Sequence, residues 1–306
     1  MKQLKRALLA GFSSLALVGM GLYIPSQANA ALEVEWLHDF DVTAAINNNI
    51  GQASREADKI ESASLGLNYS LLSNIEIGNR KAVTLKLFLE ADRIDQLDEL
   101  SSETVGVQFI YRWQNTLGYL EPYYQFNSSI QVDNYGVDQR DSTVSRTQVF
   151  VTKRLSDTFS IIAGVEHFLR DSDGTVFDMK HNRLFLSLDY IVTPFTTFYG
   201  SYGFRKGDIS STARIAECSG APVLGIFPFI TYSEERERDL AFEADQCGSW
   251  AAYRLEAETH TAALGVNMGF GESSAIDFSV GYADSKAQGE IGYQSTIFRI
   301  SYLVRL

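Results

Sequence analysis

Charged residues recur at every second position within apolar segments of this chain, and they are the residues best able to do chemistry. In an extended strand, alternate side chains point to opposite faces, so these charges share the face that the apolar residues leave. The residues assigned to that face are Lys86, Glu90, Arg112, Glu121, Arg146, Glu166, Arg170, Arg183, Asp189, Arg205, Asp277 and Arg299, with Asp92, Arg154 and Arg305 beside them. Basic residues outnumber acidic ones in this set. The pattern therefore favours binding or passage of anions.

Two interpretations of the charged face remain open. A basic lining inside a narrow, low-dielectric wall focuses the electric field and favours small anionic or acidic-sugar solutes. Alternatively, the Arg and Glu side chains pair with one another and fill a narrow interior, because a lone buried charge is costly. Sequence alone does not separate a selective lining from a packed one.

About twelve alternating segments would position these charges, each close to the roughly 9 to 11 residues of a tilted transmembrane strand. The sixth segment has the weakest pattern, with only Val149 and Val151 clearly on the apolar face. Short connections near 74–80, 114–118, 156–158, 193–195 and 271–274 alternate with longer polar loops. The expected fold is all-β, a transmembrane antiparallel up-and-down β-barrel of about 12 strands. A periplasmic β-sandwich also alternates and is the competing fold.

The last segment, from Ile297 to Leu306, alternates strictly between apolar and polar residues. It resembles the C-terminal strand of Gram-negative outer-membrane β-barrel proteins, although that strand usually ends in Phe or Trp and here ends in Leu306. The resemblance is to the class and assigns no characterised family. It implies contact with outer-membrane lipid and lipopolysaccharide, and recognition by the barrel assembly machinery. The apolar residues that the machinery would read are Phe298, Ile300, Tyr302, Val304 and Leu306.

The N-terminus, Met1 to Ala30, has the three parts of a cleaved secretion signal. A basic start precedes the largely apolar stretch from Leu8 to Tyr23, and Ala28-Asn29-Ala30 supplies a small-x-small cleavage site. Residues 31–306 then form one barrel domain, and an even strand count puts both termini in the periplasm. Cleavage would take the formal charge from −12 to about −15. An acidic chain argues against nucleic acid as a partner.

Alternation stops after Lys206, and a long extracellular loop is predicted at about 206–252. It contains Cys218 and Cys247, the two cysteines of the chain, and an exported protein meets an oxidising compartment. A disulfide is predicted, with metal ligation by the two thiols as the alternative; no His lies nearby to complete a zinc site. The apolar stretch 223–230 predicts a packed lid or constriction rather than a mobile loop.

The remaining candidates for catalysis are His38, His167, His181 and His260. None lies in a His-x-Ser or Asp-x-His pairing like those of phospholipase or protease barrels, and His260, beside Glu258, is the best candidate for a rim hydrolase. No catalytic, metal or cofactor site is expected. The favoured function is a porin-like passive channel for small solutes, with anionic solutes among those expected. The alternatives are a structural or surface-interaction barrel without transport, and an outer-membrane barrel enzyme.

Overall fold

The computed structural model describes residues 34–306, and twelve long antiparallel strands with one short extra strand dominate this range. The predicted signal peptide lies outside the described residues. The barrel prediction is confirmed. The strands are β1 (Val34–Asn47), β2 (Ser62–Glu76), β3 (Lys81–Ile94), β4 (Ser102–Gln114), β5 (Tyr123–Tyr135), β6 (Ser142–Arg154), β7 (Phe159–Ser172), β8 (Met179–Thr193), β9 (Thr196–Ala216), β10 (Glu235–Arg238), β11 (Ser249–Phe270), β12 (Ser274–Ala287) and β13 (Gly292–Arg305).

Helical structure is confined to the connections. Two six-residue helices, α1 (Phe227–Tyr232) and α2 (Leu240–Asp245), follow β9. Single 3₁₀ turns lie at Glu56–Asp58, Gly78–Arg80, Asp98–Leu100, Asp138–Arg140, Thr175–Phe177 and Gln288–Glu290. Within residues 34–306, no helix is long and apolar enough to cross a membrane.

The sheet closes on itself. Each long strand pairs antiparallel with its neighbours, β9 pairs directly with β11, and β13 pairs with β1. At that last seam Phe40 lies opposite Val304 and Ile46 lies opposite Phe298, so the apolar residues of the closing strand continue the outer face of β1. Closure leaves no unpaired edge among the long strands, which a wall within lipid requires.

The outer face of the barrel is apolar and exposed. Leu264 is 67% exposed, Leu184 57% and Leu89 55%, and each lies on the face predicted to point outward. Such a continuous apolar surface is stable next to lipid and unfavourable next to water. The alternation in the sequence therefore reflects two different environments, with lipid outside the wall and water or polar groups inside it.

The two ends of the barrel differ. The connections 77–80, 115–122, 155–158, 194–195 and 271–273, together with the C-terminus, form one end, here called the turn end. The longer connections form the opposite, loop end. At the turn end β5 begins at Tyr123, because Pro122 has no N–H with which to join the ladder. Glu121 is therefore exposed in the connection before β5 rather than in the barrel wall, and its placement in the sequence-based set needs correction.

At the loop end the β9–β11 hairpin is longer than the sequence indicates. β9 continues to Ala216 and β11 begins at Ser249, so the connection between them is shorter than the predicted 206–252. These strand ends project beyond the apolar belt, where an outward hydrophobic residue at every second position is no longer needed. Cys218 and Cys247 form the predicted disulfide, with their Cα atoms 5.1 Å apart.

Candidate functional site

The extended hairpin and the connection that it carries fold over the loop end. Residues 207–257 are called the lid here. The lid contacts the connections between β1 and β2, β3 and β4, β5 and β6, β7 and β8, and β12 and β13. Its contacts include Phe242 with Gly51 and Leu100, Asp239 with Arg140, Ala252 with Phe177, and Phe229 with Ile291. A segment that touches the connections all around the rim must cross the mouth, so the lid closes the loop end.

An apolar cluster fixes the lid on one side of the mouth. Phe242 of α2 and Trp250 of β11 are 1% and 0% exposed, and they pack with Leu97 and Leu100 from the β3–β4 connection. The rings of Phe242 and Trp250 lie 5.3 Å apart between centroids. Burying such side chains stabilises the closed position by roughly 1.5–3 kcal/mol for each residue.

A buried ion pair fixes the lid on another side. The Asp239 side chain is fully buried, and its Oδ2 accepts hydrogen bonds of 2.8 Å from Arg140 Nη2 and from the Thr212 hydroxyl. The Arg140 guanidinium also lies 4.1 Å from the centroid of the Phe177 ring. Because Arg140 belongs to the β5–β6 connection, this pair ties the lid to the barrel rim. It is called the latch here.

Beneath the lid, the barrel contains a cavity of about 530 Å³, called the arginine chamber here. Arg146, Arg183, Arg205 and Arg299 line it, and Glu166 is the carboxylate among its lining residues. The register brings Arg183 of β8 directly opposite Arg205 of β9, with Glu166 of β7 opposite Arg183 on the other side. The chamber therefore carries an excess of positive charge.

The partners of these groups are mostly neutral. Arg205 donates to the Thr259 hydroxyl at 3.3 Å and to the Tyr293 hydroxyl at 3.4 Å. Glu166 accepts a 2.5 Å hydrogen bond from Gln148 and lies 3.9 Å from Arg146 Nε. The negative charge of Glu166 is thus shared by several donors and does not neutralise the chamber.

The residues proposed from the sequence to line the lumen divide into two groups. All except Glu121 lie in strands on the inward face, and the chamber contains five of them: Arg146, Glu166, Arg183, Arg205 and Arg299. The others lie on the inward face outside the chamber. They are Lys86, Glu90, Arg112, Arg170, Asp189 and Asp277.

Sequence reasoning missed three inward carboxylates. Asp39 and Asp41 alternate with Phe40 and Val42 on β1, and Asp133 belongs to β5 rather than to a loop. The alternation that placed Phe40 outward already contained this signal for β1. These residues reduce the basic excess that the sequence suggested. Positive charge is concentrated in the chamber instead of being spread over the lumen.

Three of the inward carboxylates form a row on a different part of the wall from the chamber. The cross-strand pairs Asp41–Asn68, Asn68–Glu90, Glu90–Thr104 and Thr104–Asp133 put three acids on one row across β1 to β5. Asp133 also meets Arg170 at 3.5 Å. The lumen is therefore acidic along β1–β5 and basic around the chamber.

A second cavity, of about 510 Å³, lies at the turn end. Asp39, Asp41, Lys86 and Arg305 are among its lining residues, and Arg305 Nε donates to Asp39 at 2.7 Å. Between the levels of the two cavities, Tyr199 donates to Asp277 at 2.8 Å. Its ring lies across Gly265, where an added Cβ would be 2.3 Å from the ring.

The histidines do not assemble a catalytic centre around His260. His260 Nδ1 lies 2.6 Å from the Tyr202 hydroxyl on the outer face, and His38 Nδ1 lies 2.7 Å from the Tyr69 hydroxyl on the same face. His181 lines the chamber and stacks on Phe168 at 4.5 Å. Across residues 34–306, no group of three or more His, Cys, Asp or Glu side chains is placed to hold a metal ion.

Comparison with solved structures gives the class of this architecture. The chain is similar to an outer-membrane channel from Pseudomonas putida F1, with a TM-score of 0.58, 12% identity, and coverage of 92% of this chain and 99% of that chain. This chain has the fold of an outer-membrane β-barrel. The barrel is also similar to the TodX monoaromatic hydrocarbon channel (TM-score 0.45, 7% identity, 90% of each chain) and to the NanC porin (TM-score 0.43, 9% identity, 87% of this chain and 100% of that chain).

At these identities the likeness concerns the fold alone. No family model matches the sequence, and no curated protein matches it either. The lid and the chamber are therefore the features of this chain that indicate its function.

Proposed function

We propose that this barrel is a passive channel for small solutes that prefers anions and is gated by its lid. The observation that carries the proposal is the arginine chamber, in which Arg146, Arg183, Arg205 and Arg299 surround a lumenal cavity with Glu166 as its carboxylate. Charges of one sign inside a low-dielectric wall raise the local concentration of the opposite ion. Anions are expected to enter this part of the lumen more readily than cations.

The lid makes passage conditional. In the closed position it spans the loop end through apolar contacts and the latch, so conduction requires the lid to move. The turn end, by contrast, is bounded by short connections, and the second cavity lies there. The barrel is proposed to lie in the outer membrane with this end and both termini in the periplasm, so that the lid faces outside.

Conductance in planar bilayers tests the channel. We expect current steps with a reversal potential shifted toward that of chloride in a salt gradient, more often when the lid is loosened by Asp239→Ala. The double variant Arg183→Ala/Arg205→Ala should lose most of the anion preference. Arg93→Ala is the matched control, because it removes one positive charge from an exposed pair with Glu103 outside the lumen. Absence of conductance at every voltage, in the wild type and with the lid loosened, would reject the channel.

A surface-interaction barrel without transport is the second candidate. The closed lid is the observation that supports it, because a mouth held shut by buried contacts is compatible with a binding surface as well as with a gate. The same recordings separate the two, since a platform gives no current even when the latch is broken.

The closing strand supports the proposed route to the membrane. Phe298, Ile300, Tyr302 and Val304 lie on the outer face of β13, next to β1 at the seam, and Leu306 follows the end of the strand. We propose that the assembly machinery reads this face, and that outer-membrane lipid and lipopolysaccharide contact it after closure.

A further inference from the structure

The arrangement of Arg183 and Arg205 is unusual for side chains that only fill space. They are cross-strand partners on β8 and β9, both directed into the lumen. Like charges directly opposite one another in a sheet repel and destabilise it. Glu166 lies opposite Arg183 on its other side, but neither cross-strand partner of Arg205 is a carboxylate.

The backbone is shaped to hold Arg183 in this position. Gly203 lies beneath its guanidinium, where an added Cβ would be 2.7 Å from Nε and 3.0 Å from Nη2. The same Cβ would be 2.6 Å from the Thr261 hydroxyl. Any side chain at position 203 would therefore displace Arg183. Glycine at this position leaves room for the guanidinium over β9.

The protein leaves donor capacity unused at both arginines. Arg205 donates to two neutral hydroxyls, and its buried Nε has no hydrogen-bond partner. Among residues 34–306, Arg183 forms neither a hydrogen bond nor an ion pair, and its ring contact is with Phe185 at 5.7 Å. Both arginines are half-buried, and withdrawing a guanidinium from water with few charged or hydrogen-bonded partners is costly. An anion held by both would supply the missing acceptor oxygens.

The other charges in the chamber define how much negative charge this anion should carry. Arg146 and Arg299 line the same cavity, whereas Glu166 contributes one negative charge. The excess of three positive charges fits a polyvalent anion better than a monovalent one. A volume of about 530 Å³ is within the range of roughly 300–1,000 Å³ usual for small-molecule sites.

We infer that the arginine chamber is a saturable binding site for a small polyvalent organic anion, one carboxylate or phosphate group of which is held between Arg183 and Arg205. The planar guanidinium fork matches both groups, and the remaining oxygens of the solute face Arg146 and Arg299. The inference rests on the proposed anion channel and adds a specific substrate class to it. Such a site would make the channel select its solutes by specific binding as well as by their charge.

Isothermal titration of the full-length protein in detergent micelles tests the site without requiring transport. Citrate is the trivalent probe, acetate the monovalent probe and glycerol the neutral one, each added to the wild type and to Asp239→Ala, whose loosened lid admits the probe. We expect saturable citrate binding, at least tenfold weaker binding of acetate, and no heat from glycerol. Inorganic phosphate distinguishes a phosphate-type from a carboxylate-type oxyanion.

Substitution then assigns the site. Arg183→Gln and Arg205→Gln keep most of the side-chain volume, and each should weaken citrate binding tenfold or more, whereas Arg93→Gln should not change it. Equal affinity for citrate and acetate, absence of citrate binding with the lid loosened, or unchanged binding in both Gln variants would overturn the inference. Citrate binding without current would reject the channel and leave the binding site standing. Current without citrate binding would reject the binding site and leave the channel standing.

Discussion

Removing the Asp239 carboxylate should release the lid. In the closed structure this side chain is 0% exposed and holds Arg140, whose side chain is only 20% exposed. Breaking a buried ion pair from one side typically costs about 3–5 kcal/mol, because the other charge stays buried without a partner. Arg140 is partly exposed and keeps its contact with the Phe177 ring, so the cost of Asp239→Ala to the closed lid is expected at the lower end of this range, about 3 kcal/mol. At roughly 1.4 kcal/mol for each factor of ten, the ratio of open to closed lid rises about 150-fold.

Hydrogen exchange measures this ratio directly. The Thr212 amide donates to the Gly51 carbonyl, across the boundary between the lid and the β1–β2 connection. This hydrogen bond breaks when the lid lifts from the rim, so the protection of the Thr212 amide should fall by the same factor where closing is fast. The amides of the barrel strands should keep their protection, which separates lid opening from general unfolding.

Two further variants calibrate the result. Asp239→Asn keeps the shape and an acceptor for the Thr212 hydroxyl, and it should loosen the lid less than Asp239→Ala. Lys206→Ala removes one member of an exposed pair with Glu258, whose side chains are 61% and 54% exposed, and such pairs contribute about 0–1 kcal/mol. If Asp239→Ala and Lys206→Ala give the same lid protection, the latch does not hold the lid and the reasoning fails.

Three other predictions concern the lid, its pH dependence and the lumen. Reducing the Cys218–Cys247 disulfide should lower the free energy of lid opening, measured by hydrogen exchange, by roughly 3–4 kcal/mol in the chain-entropy model. A variant with Ser at both positions should not respond to reductant. Burial raises the pKa of Asp141 above its ordinary 3.8, so its folded environment favours the protonated carboxyl. The contribution of Asp141 to stability is greatest below about pH 3.8 and is lost as pH rises through the raised pKa. Hydrogen exchange in the β5–β6 connection, measured between about pH 3 and 7, should show stability falling as pH rises. Asp141→Asn should flatten this dependence on pH. Gly265→Val should displace the phenol ring packed over that position and change single-channel conductance, whereas Leu264→Ala, on the outer face of the same strand, should not.

The barrel could be predicted from the sequence because its wall separates two solvents. Lipid outside imposes an apolar residue at every second position, and β13, with Phe298, Ile300 and Tyr302, shows that constraint most clearly. The same alternation assigned Arg183 and Arg205 to the inward face. It failed at Glu121, where Pro122 delays the strand, and at Asp133, where an acidic residue near the strand end resembled a loop.

The sequence predicts that the segment after β9 is packed, but not which residues hold it in place. Its cysteines and apolar stretch indicated a stapled, packed segment, but the residues that hold it are spread over the chain. Asp239 meets Arg140 across 99 positions, and Phe242 meets Leu100 across more than a hundred. No local periodicity encodes such pairs. The clustering of arginines in one chamber depends in the same way on the register between strands, which the sequence does not display.

Tyr293 of β13 shows how the lid and the chamber are joined. Its hydroxyl accepts from Arg205 in the chamber, and its ring packs with Ile209, Leu255 and Phe229 of the lid. A tyrosine suits this boundary because one end is apolar and the other can hydrogen bond. On β9 the inward face changes from Arg205 to Ile209 within four residues, so the lining becomes apolar where the lid begins. The chamber is thus bounded by the packing that closes the lid, and a solute held by Arg205 lies against the surface that must open to release it.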